Sequence, residues 1–176
     1  AAHEDNDEGF DCWWAHSEEE MKIAFEDFID WTYARWEQDK AMHVYHYGQF
    51  EITAIRELMG HFGTRERELD NLLRNEVFVD LYRVVKQSLC IGAEGYGLKA
   101  IEPLFREERD NEVSSGQDST VVYEVWSSER RDTKDHTDSE YLKEIWDYNK
   151  DDCVSLISLS DCLRVLQEKE GISYFF

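Results

Sequence analysis

Two short apolar segments in this sequence each run directly into a pattern with helical spacing. The segment Met42–Tyr47 is rich in β-branched and aromatic residues and stops at Gly48, and a helical pattern begins near Phe50. The run Val77–Tyr82 likewise leads into a helix that continues to Leu89. Strands that alternate with helices are typical of α/β proteins, which place their sites where strands end. The order therefore predicts an α/β domain that is rich in helix.

The spacing of apolar residues predicts further helices around these segments. They cover residues 18–38, 50–61, 65–73, 98–107, 119–127 and 138–168. Ser17 with Glu20 has the spacing of a capping box, and Thr64 is the expected N-cap of the third helix. The aromatic patch Cys12–Ala15 is a candidate edge strand. Loops are expected at the glycines 92, 95 and 97 and over residues 109–117 and 129–136. The buried positions expected in the last helix are Leu142, Ile145, Cys153, Leu156, Leu163 and Leu166.

Length and composition indicate one soluble domain. The chain has 176 residues, of which 41% are hydrophobic, and this is enough to build a core. No apolar run is long enough to span a membrane and the N-terminus lacks the pattern of a signal peptide, so we expect a cytoplasmic protein. We expect residues 1–11 to be an acidic terminus or linker end, residues 12–168 the domain, and residues 169–176 a tail.

Charge and cysteine usage restrict the partners. Forty acidic residues against 19 basic ones give a net charge of −21, so a nucleic acid would meet general repulsion unless cations intervene. A solvated acidic surface is the ordinary explanation of this acidity. The four cysteines, Cys12, Cys90, Cys153 and Cys162, form no CxxC pair. This pattern favours reduced, mostly buried thiols over disulfides or a structural metal.

Two motifs offer residues that could carry chemistry. Tyr148 and Asp152 are four residues apart on a predicted helix and project from the same face, so the carboxylate can hold a cation while the phenol meets a water on it. Glu51 enters a helix directly after the strand that ends near His46. Each motif alone has a plain alternative, namely a solvated helix face for the first and compensation of the helix dipole for Glu51. The pair is more informative than either motif.

Together these segments resemble the DnaQ-like, ribonuclease H-fold exonucleases of the DEDD class, in their tyrosine-bearing branch. YxxxD matches the third motif of that class, and HxxxFE is a variant of the second motif, which usually has Asn and Asp. The chain is most similar to YprB-like exonuclease domains fused to RecB-like nucleases and helicases. The resemblance covers about residues 12–166 and rests on four ordered runs: His43–Gly48, Phe78–Tyr82, Tyr96–Glu102 and Tyr148–Cys153.

The resemblance implies hydrolysis of a phosphodiester with two Mg²⁺ or Mn²⁺ ions held by carboxylates. Asp152 would hold the metal that carries the attacking water, Tyr148 would orient that water, and Glu51 would stand where an Asp supports the second metal. The substrate-binding residues it implies are His46, Tyr45, Asp80 and Lys99. We expect Asp80 to have a structural or substrate-side role rather than to bind a metal.

One part of the family pattern is missing. The first motif of the class, an apolar strand with DxE, is not found in the chain, and Asp5–Asp7 and Asp11–Trp13 have the wrong spacing or residue. We therefore expect the chain to lack the first β-strands, to be a fragment whose first motif lies upstream of Ala1, and to be inactive alone.

The leading hypothesis is a metal-dependent 3′–5′ exonuclease domain that acts on single-stranded or 3′-end DNA or RNA, for example in DNA repair. RecB-like nuclease and helicase domains are expected in the same polypeptide, and no membrane partner is expected. The alternatives are a non-catalytic interaction module that keeps the fold without the site, and an acidic helical scaffold without any site.

Overall fold

The computed structural model describes residues 9–106, 116–129 and 133–172. The elements in this part of the chain alternate as the sequence predicts. They are α1 (Glu18–Gln38), β1 (Val44–His46), α2 (Phe50–Phe62), α3 (Glu66–Arg74), β2 (Phe78–Asp80), α4 (Leu81–Ser88), α5 (Leu98–Ile101), a 3-10 turn (Glu102–Leu104), α6 (Gly116–Ser128) and α7 (Glu140–Lys169). No helix of the described ranges is both long and apolar enough to cross a membrane.

Helix α1 begins where the capping pattern predicts. The hydroxyl of Ser17 accepts a hydrogen bond from the backbone N–H of Glu20 at 3.2 Å, which satisfies one of the unpaired donors of the first turn. Glutamates fill the first turn, where the positive end of the helix dipole favours acidic groups. Phe25, Ile29 and Trp36 lie on the buried face of the helix. The predicted range of 18–38 is confirmed.

The two strands form a parallel pair. Val44 lies opposite Phe78, and His46 lies opposite Asp80. Because the pair is parallel, the carboxyl ends of β1 and β2 lie side by side at one edge of the sheet. These are the two strands of the sheet in the described residues, so the prediction of a helix-rich α/β fold with few strands is confirmed.

The described part of the chain contains three core clusters of buried side chains. One lies between α1, α2 and α3, and a second joins α1 and α3 to β2. The third is centred on Leu81, Val85, Ile101 and Leu159, so it joins α4, α5 and α7. Tyr45 of β1 and Tyr47, the residue that follows β1, pack against the third cluster. The cluster therefore connects the strand pair to the last helix.

Several local predictions are wrong. Arg65 and not Thr64 precedes α3 as its N-cap, with a left-handed φ of 57°, and the Thr64 hydroxyl instead donates to Glu26. The patch Cys12–Ala15 forms no strand; its Trp13 ring packs edge-on against Phe28 at 5.5 Å. Side-chain packing therefore replaces strand pairing there.

The predicted ends of the later helices also need correction. The 98–107 helix is shorter, since α5 ends at Ile101 and a 3-10 turn follows. Helix α6 begins at Gly116, so residues 116–117 of the predicted 109–117 loop are helical, while residues 107–115 and 130–132 lie outside the described residues.

Burial in α7 and burial of the cysteines differ from expectation. Of the six positions predicted to be buried in α7, Leu142 is fully buried and the other five are half-buried. Two serines, Ser155 and Ser160, are buried instead. All four cysteines are free thiols, but Cys12 and Cys90 are exposed. The prediction of mostly buried thiols is therefore wrong.

Candidate functional site

The carboxyl ends of the parallel strands bring a histidine and a carboxylate together. His46 is the last residue of β1 and is 6% exposed, and Asp80 is its register partner on β2. The turn after β1 joins the two side chains, because Gly48 accepts from one and donates to the other. Its carbonyl lies 2.7 Å from Nδ1 of His46, and its N–H donates to Oδ1 of Asp80 at 2.9 Å.

The hydrogen bond to Gly48 fixes the tautomer of neutral His46. A carbonyl oxygen can only accept, so Nδ1 carries the proton and Nε2 carries the lone pair. The carboxylate of Glu51, in the first turn of α2, lies 3.8 Å from Nδ1 and its side chain is 49% exposed. The structure therefore places Glu51 beside His46, at the edge of the sheet and open to solvent.

Asp80 orders the start of α4 as well as the turn after β1. Its Oδ1 accepts from the backbone N–H of Arg83 at 3.4 Å, which makes it the N-cap of α4. Its Oδ2 accepts from the side-chain amide of Gln49 at 3.4 Å. Gly48 has a φ of 92°, a conformation that residues with a Cβ rarely adopt. One carboxylate and one glycine thus determine how the chain leaves both strands.

Tyr47 is the first residue of the turn after β1, and its phenol is held in the neutral form. Burial first, and then the neighbouring Tyr82 and Asp80, raise the pKa of the Tyr47 phenol to about 12. Its hydroxyl donates to the backbone carbonyl of Tyr96, and its ring contacts the Tyr82 ring edge-on at 5.6 Å. The sequence analysis did not single out Tyr47 or Tyr82, although both lie inside the motif runs.

A groove opens beside Asp80. Its volume is about 520 Å³, and it lies between the turn after β1 and one face of α4. The residues that line it are Gly48, Gln49, Asp80, Tyr82, Arg83, Lys86 and Gln87. The lining thus places two cationic side chains, two amides, one carboxylate and one aromatic ring on a concave surface next to the strand ends.

A second group of predicted residues meets at α7. The ammonium group of Lys99 lies over the ring of Tyr148, 4.9 Å from its centroid. Tyr148 and Asp152 are both half-buried and lie one turn apart on α7. The predicted substrate residue and the predicted catalytic tyrosine are therefore in contact.

A buried polar network holds α7 in place. Arg106 donates to the Ser155 hydroxyl at 2.7 Å and forms ion pairs with Glu102 and Asp151. Ser155 in turn donates to the Glu102 carboxylate, whose side chain is 8% exposed. The spacing of Glu102 and Arg106 is that of a local helical ion pair, but nothing in the sequence indicated Ser155 and Asp151, 45 residues or more away. This network fixes the turn of α7 that follows Tyr148.

The predicted site residues thus fall into two groups along the same core cluster. His46, Glu51 and Asp80 form the group at the strand ends, and Lys99 with Tyr148 forms the group at α7. Tyr45 connects β1 to α7, because its hydroxyl accepts from Arg164 at 3.3 Å. Tyr45 and Leu156, one turn after Asp152, pack against the same buried residues.

The carboxylates do not form a complete metal centre. Within the ranges that the structure describes, no group of three or more His, Cys, Asp or Glu side chains is arranged to hold an ion. Both oxygens of Asp80 already accept hydrogen bonds. Glu51 and Asp152 have the oxygen chemistry that Mg²⁺ and Mn²⁺ require, but these residues alone do not make a two-metal site.

A parallel strand pair flanked by helices, with polar groups at the strand ends, defines an α/β domain of the kind that enzymes use. A family model described as the RNase H superfamily matches residues 2–164. The chain belongs to the RNase H superfamily, and the predicted ribonuclease H-like fold is confirmed. This is a fold of nucleic-acid-processing nucleases, which generally use divalent metal ions. No curated protein and no solved structure matches the chain at a significant level.

Proposed function

We propose that this chain is a metal-dependent 3′–5′ exonuclease domain of the DnaQ-like, tyrosine-bearing branch. The observation that carries the proposal is the group His46, Glu51 and Asp80 at the strand ends of an RNase H superfamily domain. The YprB-like subfamily and the RecB-like nuclease and helicase domains in the same polypeptide belong to the same proposal.

The roles proposed for individual residues follow their positions. Glu51 and Asp152 are the carboxylates that would hold the ions, and bound divalent ions supply a nucleophilic water and neutralise charge on the phosphodiester. Tyr148 would orient that water, and its contact with Lys99 restrains the ring. His46, whose orientation Gly48 fixes, would present Nε2 to the substrate.

The acidity of the chain supports a need for cations. With a net charge of −21, the protein repels a polyanion over distances of about a Debye length, 8 Å at physiological salt. Divalent ions held by Glu51 and Asp152 would reverse the sign of this interaction locally. Substrate binding at the proposed site should therefore depend on the ions as strongly as hydrolysis does.

The test measures loss of label from a single-stranded oligonucleotide labelled at its 3′ end, with a 5′-labelled copy as the directional control. It uses the full natural polypeptide that contains this sequence, because the first motif of the class is not found within these residues. We expect Mn²⁺-dependent release of the 3′ label, reduced at least about 100-fold in Asp152→Asn and in Glu51→Gln. Glu57→Gln, an exposed carboxylate of the same helix as Glu51, is the matched control. Full activity of Asp152→Asn would overturn the proposal.

A second candidate is a non-catalytic interaction module that keeps the fold. The observation in its favour is that the described residues contain no group of three metal-ligating side chains. The same assay separates the two candidates. A folded polypeptide that releases neither label in Mn²⁺ or Mg²⁺ supports the interaction module and contradicts the exonuclease.

A further inference from the structure

We propose that the groove between the turn after β1 and α4 binds one nucleotide unit of a single-stranded nucleic acid. In this arrangement Tyr82 stacks on the base, and Arg83 and Lys86 contact the flanking phosphates. The inference rests on the proposed function, because it assigns the substrate subsite next to the same strand ends. It concerns residues to which the motif pattern gave no role.

The two cations are the first observation. Arg83 and Lys86 are exposed, lie three residues apart on α4 and line the same groove. Three residues along a helix is close to one turn, so the two side chains project from one face. Neither forms an ion pair within the described ranges, whereas Arg65, Arg74 and Arg106 all do.

The aromatic ring beside Lys86 is the second observation. Tyr82 is half-buried, and the edge-on contact with Tyr47 restrains its ring. Lys86 lies 5.4 Å from the centroid of the ring and donates to its hydroxyl at 3.4 Å. A restrained aromatic ring beside cationic groups is the combination that single-strand binding proteins use, with the ring under a base and the cations along the backbone.

Location and size are the third observation. Asp80 caps α4 and pairs with His46 across the strands, so the groove begins at the strand ends. A volume of about 520 Å³ lies within the range of about 300–1,000 Å³ that is usual for small-ligand sites. The amides of Gln49 and Gln87 add donors and acceptors that a base edge or a sugar can use.

The net charge of the whole chain distinguishes this groove from the rest of the surface. A net charge of −21 opposes contact with nucleic acid over most of the surface. Arg83 and Lys86 form no ion pair in the described ranges and outnumber Asp80, the one carboxylate of the lining, so a phosphate is attracted locally. A single-stranded nucleic acid that reaches the ends of β1 and β2 by way of α4 therefore meets less repulsion than one that approaches over an acidic face.

The experiment measures binding of a 3′-fluorescein single-stranded oligonucleotide by fluorescence anisotropy in Ca²⁺ and, separately, in EDTA. The double variant Arg83→Gln with Lys86→Gln should raise the dissociation constant at least about 10-fold at 50 mM salt and reduce the salt slope by about 1 to 2. Arg56→Gln is the matched control, an exposed arginine of α2 that lies outside the groove and makes no ion pair in the described residues.

Stacking is tested with Tyr82. Tyr82→Ala should weaken binding at least about 5-fold, while Tyr82→Phe keeps the ring and binds within about 2-fold of the parent. A series of oligonucleotides carries one abasic site at a different position in each. The parent should bind one member of the series more weakly than the others, and this difference should vanish in Tyr82→Ala. A far-ultraviolet circular dichroism spectrum and a urea midpoint equal to those of the parent show that each variant is folded.

The outcomes separate this inference from the proposed exonuclease. The polypeptide could fail to cleave while the variants bind the oligonucleotide more weakly than the parent. That result supports the groove and contradicts only the exonuclease. If the parent cleaves the oligonucleotide, and the double variant and Tyr82→Ala bind it as tightly as the parent does, only the groove is overturned. Absence of binding by the parent in both Ca²⁺ and EDTA also overturns the groove, as does equal loss of binding in Arg56→Gln.

Discussion

Asp80 accepts hydrogen bonds from three donors in two separate parts of the strand-end site. The donors are the backbone N–H groups of Gly48 and Arg83 and the side-chain amide of Gln49. A single carboxylate therefore couples the turn after β1 to the start of α4. Removing it leaves a helix end without its cap and a turn without its anchor.

We expect Asp80→Ala to lower the free energy of unfolding by about 1–2 kcal/mol, because a lost N-cap costs about 1 kcal/mol and a second hydrogen bond is lost. Asp80→Asn keeps an acceptor oxygen and should lose less than half of that. Urea unfolding followed by circular dichroism measures both, with Glu57→Ala as the exposed control. Equal stability of Asp80→Ala and the parent would contradict the role given to Asp80.

Two glycines should respond to the same substitution with opposite signs. Gly48 has a φ of 92°, so Gly48→Ala should destabilise the protein by about 1 kcal/mol or more, although a Cβ would meet no atom within 4 Å. Gly60 lies inside α2 without such a φ, so Gly60→Ala should stabilise by about 0.5–1 kcal/mol. Urea midpoints measured in parallel test the pair. Stabilisation by Gly48→Ala would show that the turn has a different backbone conformation.

The phenol of Tyr47 gives a pH dependence with a definite sign. Its pKa is raised to about 12, above the value of about 10 expected in the unfolded chain, so the folded state holds the proton more tightly. Its contribution to stability is complete below about pH 10 and is lost as the pH rises towards about 12. Tyr47→Phe should remove one late-titrating phenol from the ultraviolet difference spectrum at 295 nm. Loss of a phenol that titrates near pH 10 instead would contradict the burial of Tyr47.

At the scale of elements, the network around Arg106 fixes α7 to the 3-10 turn. We expect Arg106→Leu to cost about 3 kcal/mol, because it leaves the carboxylates of Glu102 and Asp151 without their cation in a largely buried place. Arg74→Leu removes an exposed ion pair with Asp70 and should cost less than about 1 kcal/mol. Chemical unfolding of both variants tests the difference. Equal costs would show that the network is as solvated as a surface pair.

Local chemistry explains which elements the sequence predicted. The start of α1 follows from Ser17. The ends of α2 follow from the apolar spacing and from Gly63, whose φ of 57° ends the helix. The N-cap of α3 was predicted wrongly, because tertiary contacts hold Thr64 on Glu26 and Arg65 on Asp30. Local sequence carries no record of such contacts with α1.

The candidate site was predictable only in part, because local sequence shows its motifs but not its tertiary contacts. The motifs located His46, Glu51 and Asp80. The parallel register brings His46 and Asp80 together from positions 34 residues apart, and Glu51 lies beside His46. The buried serine of α7, Ser155, was missed because a polar residue gives no apolar signal. Its burial depends on Arg106, which lies 49 residues away.

At the scale of the whole molecule, the net charge of −21 predicts a stabilising effect of salt. Mutual repulsion of 40 acidic groups opposes the compact state, and salt screens that repulsion. We expect the urea midpoint to rise when NaCl is increased from 0.05 M to 0.5 M. A midpoint that falls would show that the ion pairs of the fold outweigh the repulsion.

The proposed nuclease site combines the strand ends and α7 around divalent ions. Mn²⁺ broadening of assigned amide resonances tests it most directly, with the full natural polypeptide in 0.5 M NaCl to suppress diffuse binding to the acidic surface. Resonances around Gly48–Glu51 and Tyr148–Asp152 should broaden first, and Glu51→Gln combined with Asp152→Asn should abolish the effect. Broadening spread evenly over the acidic surface and unchanged in that double variant would contradict it.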